Sequence, residues 1–199
     1  MDKKGFVVHK DVICTRSSFL KAACECWIKR LEPVELLDDD AQTFNHWLHY
    51  VYFNKPPMTN DLHEEDVFRA VVKAYILSDK LGDLRSANII IDELMRLSDE
   101  LGKVPCGDLL IHAWTKTPEN SLLRLLFIDY IVHESKHDIF AKNVSMIPPD
   151  MLIAVINEFG RVEYNIQDGI VRRVYSVYVD KRAKCYYHQH DKSHPQCAE

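Results

Sequence analysis

Residues 6–52 read FVVHKDVICTRSSFLKAACECW (6–27), IKRLEP (28–33), VELLDDD (34–40) and AQTFNHWLHYVY (41–52). Phe6, Val7 and Val8 form a short apolar run that reads as a strand. Ser17-Ser18-Phe19 then opens a helix, because a serine at either position can accept from the first free backbone N–H groups. Val34 to Leu37 reads as a second short strand and runs through Asp38-Asp39-Asp40 into a strongly patterned helix. Three adjacent acids suggest a metal or catalytic cluster, yet they stand just before a helix. Acids there stabilise the positive helix end by roughly 0.3–1 kcal/mol each, so capping is the reading taken. Phe44, Trp47, Leu48, Val51 and Tyr52 fall at i, i+3, i+4, i+7 and i+8, one apolar stripe. Burial of such side chains contributes roughly 1.5–3 kcal/mol each, which makes this helix core.

The pattern continues outward. Pro56-Pro57 ends that helix region, and Asp61-x-x-Glu64 restarts helix with capping-box chemistry. Val67, Phe68, Val71, Val72, Tyr75 and Ile76 make the next buried face. Gly82 closes that helix. Asp83 caps a further one with the stripe Leu84, Ala87, Ile91, Leu94 and Met95.

Taken together, F-x-V-H-K (6–10), R-S-x-F (16–19), V-x-L-x-D-D (34–39) and F-x-x-W-L-x-Y-V-Y (44–52) resemble the BTB/POZ domain. AYILSDKLGDLRSA (74–87) resembles the paired helices that complete that fold. The resemblance covers about residues 5 to 101. It implies an α+β, mainly helical fold whose first strand is missing, because only five residues precede Phe6. It also implies self- or hetero-association, with adaptor duty towards a cullin-type ubiquitin ligase as one form. Phe6, Val7 and Val8 would then line an uncovered sheet edge, open to a strand-adding protein partner. A gene model that is short at this end explains the missing strand equally well.

The expected organisation is a BTB/POZ-like domain over 1–102, a helical extension over 103–160, and a basic arm with a Cys/His-rich tail over 161–199. In the extension, Leu109–Trp114 is a short apolar piece. Thr117-Pro118 is read as opening a long segment from Leu122 to His133. Pro148-Pro149-Asp150 starts a helix with Leu152, Val155, Ile156 and Phe159 on one face and Gly160 after it. The region is similar to the helical extension of BTB proteins from filamentous fungi.

Composition narrows the function. In 199 residues with 47% hydrophobic content, a packed core is feasible. A net charge of −5 argues against nonspecific nucleic-acid binding, which needs a basic surface. No run approaches the ~18 apolar residues of a membrane span. Met1-Asp2-Lys3-Lys4 leads into no signal-like segment, so the expected location is cytoplasmic or nuclear. The six cysteines are then expected to be thiols. The six scattered glycines form no phosphate-cradling loop, and no G-x-S-x-G occurs.

Two constellations carry metal chemistry. His133-Glu134-Ser135-Lys136-His137 is a literal H-E-x-x-H. On a helix it would set two imidazoles on one face for zinc, with Glu134 as general base and Glu158 as a third ligand. A zinc peptidase would also need a sheet beside the site, and none reads out of this half. In the tail, five of the last fifteen residues are Cys or His. Cys185-x2-His188 and His194-x2-Cys197 have ligand spacing, and two thiolates with two imidazoles suit tetrahedral zinc. His190 is the alternative ligand, and a polar tail with incidental histidines is the reading taken.

The sequence therefore points to a non-catalytic protein–protein interaction module. A zinc metallopeptidase and a zinc-stabilised tail that binds a partner are the alternatives.

Overall fold

The structure, a computed structural model, describes residues 4–27, 33–57, 63–105, 107–134, 146–167 and 185–190. Every regular element among them is helical: α1 (Lys10–Arg16), α2 (Ser18–Trp27), α3 (Ala41–Phe53), α4 (Glu64–Leu81), α5 (Leu84–Leu101), α6 (Asp108–Lys116), α7 (Leu122–Asp129), a π-helical turn (Tyr130–Glu134) and α8 (Pro149–Gln167). The chain divides into two compact units, Met1–Arg96 and Leu97–Glu199, with the division inside α5. No described helix is long and apolar enough to cross a membrane.

In the first unit, Ser17 separates α1 from α2 and serves both. Its N–H closes α1 on Ile13 O at 2.8 Å, and its Oγ accepts from Leu20 N–H at 3.0 Å. The same hydroxyl donates to Leu81 O at 2.6 Å, so this fully buried serine ties the α1–α2 corner to the end of α4. Asp40 caps α3, accepting from Thr43 N–H at 2.8 Å and from its hydroxyl at 2.9 Å. The acid run is thus a capping device, with Asp39 paired to Lys80 at 2.7 Å.

Trp47 and Val51 are buried as the stripe requires, and Phe44 and Leu48 pack against the same cluster. The inward tyrosine is Tyr50, however, while Tyr52 is 37% exposed and holds His9 N–H at 3.0 Å. Gly82 ends α4 at φ +66°, and Asp83 N–H reaches back to Ser78 O at 2.9 Å. The positive φ favours glycine here, and a side chain would also press on Ser18 Oγ.

The expected α+β fold is overturned: among the described residues there is no strand and no sheet. Phe6–Val8 and Val34–Leu36 are irregular, and Leu37 begins a turn that leads into the acids. Their apolar side chains are used differently. Val8, Val34 and Leu36 pack on a cluster of Ile13, Leu20, Trp47, Val51, Leu77 and Leu81, and the Phe6 ring meets that of Phe44 at a tilt of 60°, centroids 4.9 Å apart. Burial against helices satisfies these residues without a ladder. Two short strands alone are marginal in water, and β-propensity reflects a half-buried setting more than a backbone preference.

The described residues of the second unit up to Gln167 are mainly helical, as the pattern from Lys103 suggests. Thr117-Pro118 does not open α7. Thr117 ends α6, Ser121 N–H bonds Pro118 O at 3.0 Å, and the helix starts at Leu122. Arg124 locks this corner. Its guanidinium lies 4.6 Å from the centre of the Trp114 ring and donates to the carbonyls of Trp114 and Thr117. Pro149 occupies the first position of α8, where its missing N–H costs nothing. Asp150 accepts from Trp114 Nε1 at 2.7 Å; that bond foremost holds its carboxyl below the usual carboxylate range. Gly160 does not end this helix, which runs on to Gln167.

Candidate functional site

The chemistry-bearing side chains gather in the second unit. α7 delivers Asp129, the π-helical turn delivers His133, and α8 delivers Glu158. One ligand atom from each lies within 4.8 Å of the others. The Asp129 side chain is fully buried, and a carboxylate there needs partners. It accepts from the Tyr187 hydroxyl at 2.5 Å, and His133 Nε2 stands 3.9 Å from its other oxygen. Glu158 accepts from Arg161 at 2.9 Å. The wide π-helical turn, a feature often found at functional sites, shapes the backbone that carries His133.

A second cluster is built by the short turn 185–190. Cys185 has φ +59°, and His188 N–H closes the turn on Cys185 O at 3.2 Å. Cys185 Sγ lies 3.1 Å from His188 Nδ1 and 2.9 Å from His190 Nε2. Between them Tyr187 is 1% exposed and points to Asp129, fixing the turn onto the helices of this unit.

The sequence-derived sets are thus regrouped. Cys185 and His188 come together, with His190 as their third member. His194 and Cys197 lie outside the described residues, as does His137, and nothing is described of the Glu134 side chain. His133 and Glu158 do meet, with Asp129 as their companion, a residue the motif reading missed. The signal for it was present: an acid at position 129 interrupts the otherwise apolar run LLFIDYIV (125–132), and an acid buried in such a run requires a partner.

Phe6, Val7 and Val8, read as a partner-binding edge, are placed in the first unit. Phe6 and Val8 turn inward and are half-buried, while Val7 is fully exposed. No sheet is present among the described residues to supply the expected edge. Cys14 and Cys24 are free thiols, and burial, followed by the neighbouring Cys24, raises the pKa of Cys14.

No protein-family model, curated protein or solved structure matches the chain.

Proposed function

We propose that this chain is a non-catalytic protein-association module that pairs with a second copy of itself through α8. The observation that carries the reading is the double apolar character of that helix. Met151 and Val155 are buried in the unit, while Ile153, Ile156 and Phe159 are 60%, 65% and 43% exposed. These three recur every third residue along one side of the helix, the geometry of a contact stripe.

A second copy presents the same apolar stripe. An antiparallel pairing centred on Ile156 sets Ile153 of one copy beside Phe159 of the other. In the first unit, Val7 offers one more outward apolar side chain for a partner.

Sedimentation of the full chain across the micromolar range tests this reading. A concentration-dependent dimer is expected, weakened about tenfold or more by Ile156→Asp, since a charge replaces a buried side chain at the centre of the stripe. A monomer at every concentration, or a dimer indifferent to Ile153→Asp and Ile156→Asp, overturns self-association through α8. A monomer would leave hetero-association. Adaptor duty towards a cullin-type scaffold is one form of that, tested by co-sedimentation with such a scaffold.

A further inference from the structure

We infer that Cys185, His188 and His190 form a zinc-binding site that closes the 185–190 turn on itself. Two imidazole nitrogens are aimed at one sulfur, at 3.1 Å from His188 Nδ1 and 2.9 Å from His190 Nε2. A thiol has one proton and can donate it to only one of them, so the other ring must donate to sulfur, a weak acceptor. A cation between the three atoms takes a lone pair from each and leaves none facing another.

The donor set selects the metal. One thiolate and two imidazoles are the ligands of zinc, whereas magnesium and calcium require oxygen. With Zn–S near 2.3 Å and Zn–N near 2.0–2.1 Å, tetrahedral geometry sets sulfur and nitrogen about 3.5 Å apart. The three side chains need to open by only about half an ångström to seat the ion. The backbone already holds them on one turn, closed by His188 N–H on Cys185 O at 3.2 Å. Tyr187, buried and bonded to Asp129 at 2.5 Å, anchors that turn from its other side. Ligands positioned in this way bind with less loss of chain entropy than the same residues on a free segment.

Asp129, His133 and Glu158 are the rival cluster, and they are less suited to the ion. Asp129 takes the Tyr187 hydroxyl and Glu158 takes the Arg161 guanidinium, so both carboxylates already have hydrogen-bonding partners. Zinc at the turn therefore braces the turn itself, with water as the fourth ligand. Its binding ionises the Cys185 thiol and releases that proton to solvent, so apparent affinity rises with pH.

The test uses the full-length chain with Zn²⁺ for stoichiometry and Co²⁺ as a spectroscopic stand-in. One equivalent of zinc is expected by elemental analysis. Co²⁺ should give a thiolate charge-transfer band and the intense visible bands of a tetrahedral site. Cys185→Ser should abolish the charge-transfer band, and His188→Ala and His190→Ala should each weaken binding at least tenfold, with helix content by circular dichroism unchanged. Asp129→Asn and Glu158→Gln should keep the band. Absence of bound zinc overturns the inference, as does a charge-transfer band that survives Cys185→Ser. Metal lost in Cys197→Ser but kept in His190→Ala would also overturn it, in favour of Cys185, His188, His194 and Cys197.

Discussion

The two units arrange polar side chains differently. In the first, Arg16 and Asp83 form an ion pair at 3.2 Å with side chains 8% and 0% exposed. Asp83 also accepts from Trp47 Nε1 at 3.1 Å and Ser86 N–H at 3.0 Å. Arg16 donates further to Val51 O at 3.1 Å, Asn54 Oδ1 at 2.9 Å and Ser86 Oγ at 2.8 Å. This network joins α1, α3 and the start of α5 with hard, charge-assisted bonds. In the second unit the 185–190 turn gathers soft donors, one sulfur and two imidazoles, that complement one another poorly. His190 Nδ1 is buried there without a hydrogen-bond partner among the described residues. A network whose donors and acceptors match holds a fold together. A set of lone pairs converging on one point is suited to a ligand.

Breaking the closed network gives the largest effect. Asp83→Ala leaves the Arg16 guanidinium buried without its carboxylate, and removing one partner of a buried pair costs about 3–5 kcal/mol. Chemical denaturation should show the first unit destabilised by that amount, with zinc stoichiometry retained in the folded fraction. A loss below about 1 kcal/mol would mean that water reaches Arg16 and that the contrast between the units is overdrawn.

Tyr187→Phe sharpens the other side of the comparison. It removes the hydroxyl that donates to Asp129, and a buried acceptor losing its donor costs about 1–3 kcal/mol. The anchor of the turn weakens with it, so zinc affinity should fall although no ligand has changed. Calorimetric titration with Zn²⁺ reads this directly. An unchanged affinity would show that the three ligands stand without Tyr187.

Most helices were readable in the sequence because their signals are local, but α1 (Lys10–Arg16) was missed. The 3.6-residue period marked α3, α4 and α5, and Gly82 and Asp83 marked the boundary between the last two. The strands were misread because a short apolar run has no period to separate a ladder from a packed irregular segment. Phe6, Val8, Val34 and Leu36 bury themselves against helices instead. Arg16 was invisible as a core residue because its partner Asp83 stands 67 positions away. At the candidate site, spacing found Cys185 and His188 and offered His190. It could not find Asp129, whose grouping with His133 and Glu158 depends on how α7 packs against α8.

The smallest expected effect separates capping from both clusters by its pH dependence. Burial pushes the Asp40 carboxyl up, but the hydrogen bonds from the Thr43 backbone and hydroxyl and from Lys73 outweigh it and hold the pKa below the usual carboxylate value. A depressed folded pKa means that the ionised form stabilises the fold above the unfolded pKa. That stabilisation is lost as pH falls through the folded value. Asp40→Ala should therefore cost about 1 kcal/mol at neutral pH, the usual worth of a cap. The difference between wild type and variant should shrink towards zero as acid takes the pH below the depressed folded value, where both chains lack the charge. Asp150, also depressed, titrates in the same range but identically in both proteins, so it cancels from the difference. A gap between the two chains that stays constant from neutral pH into acid would show that Asp40 acts through packing, not as a charged cap.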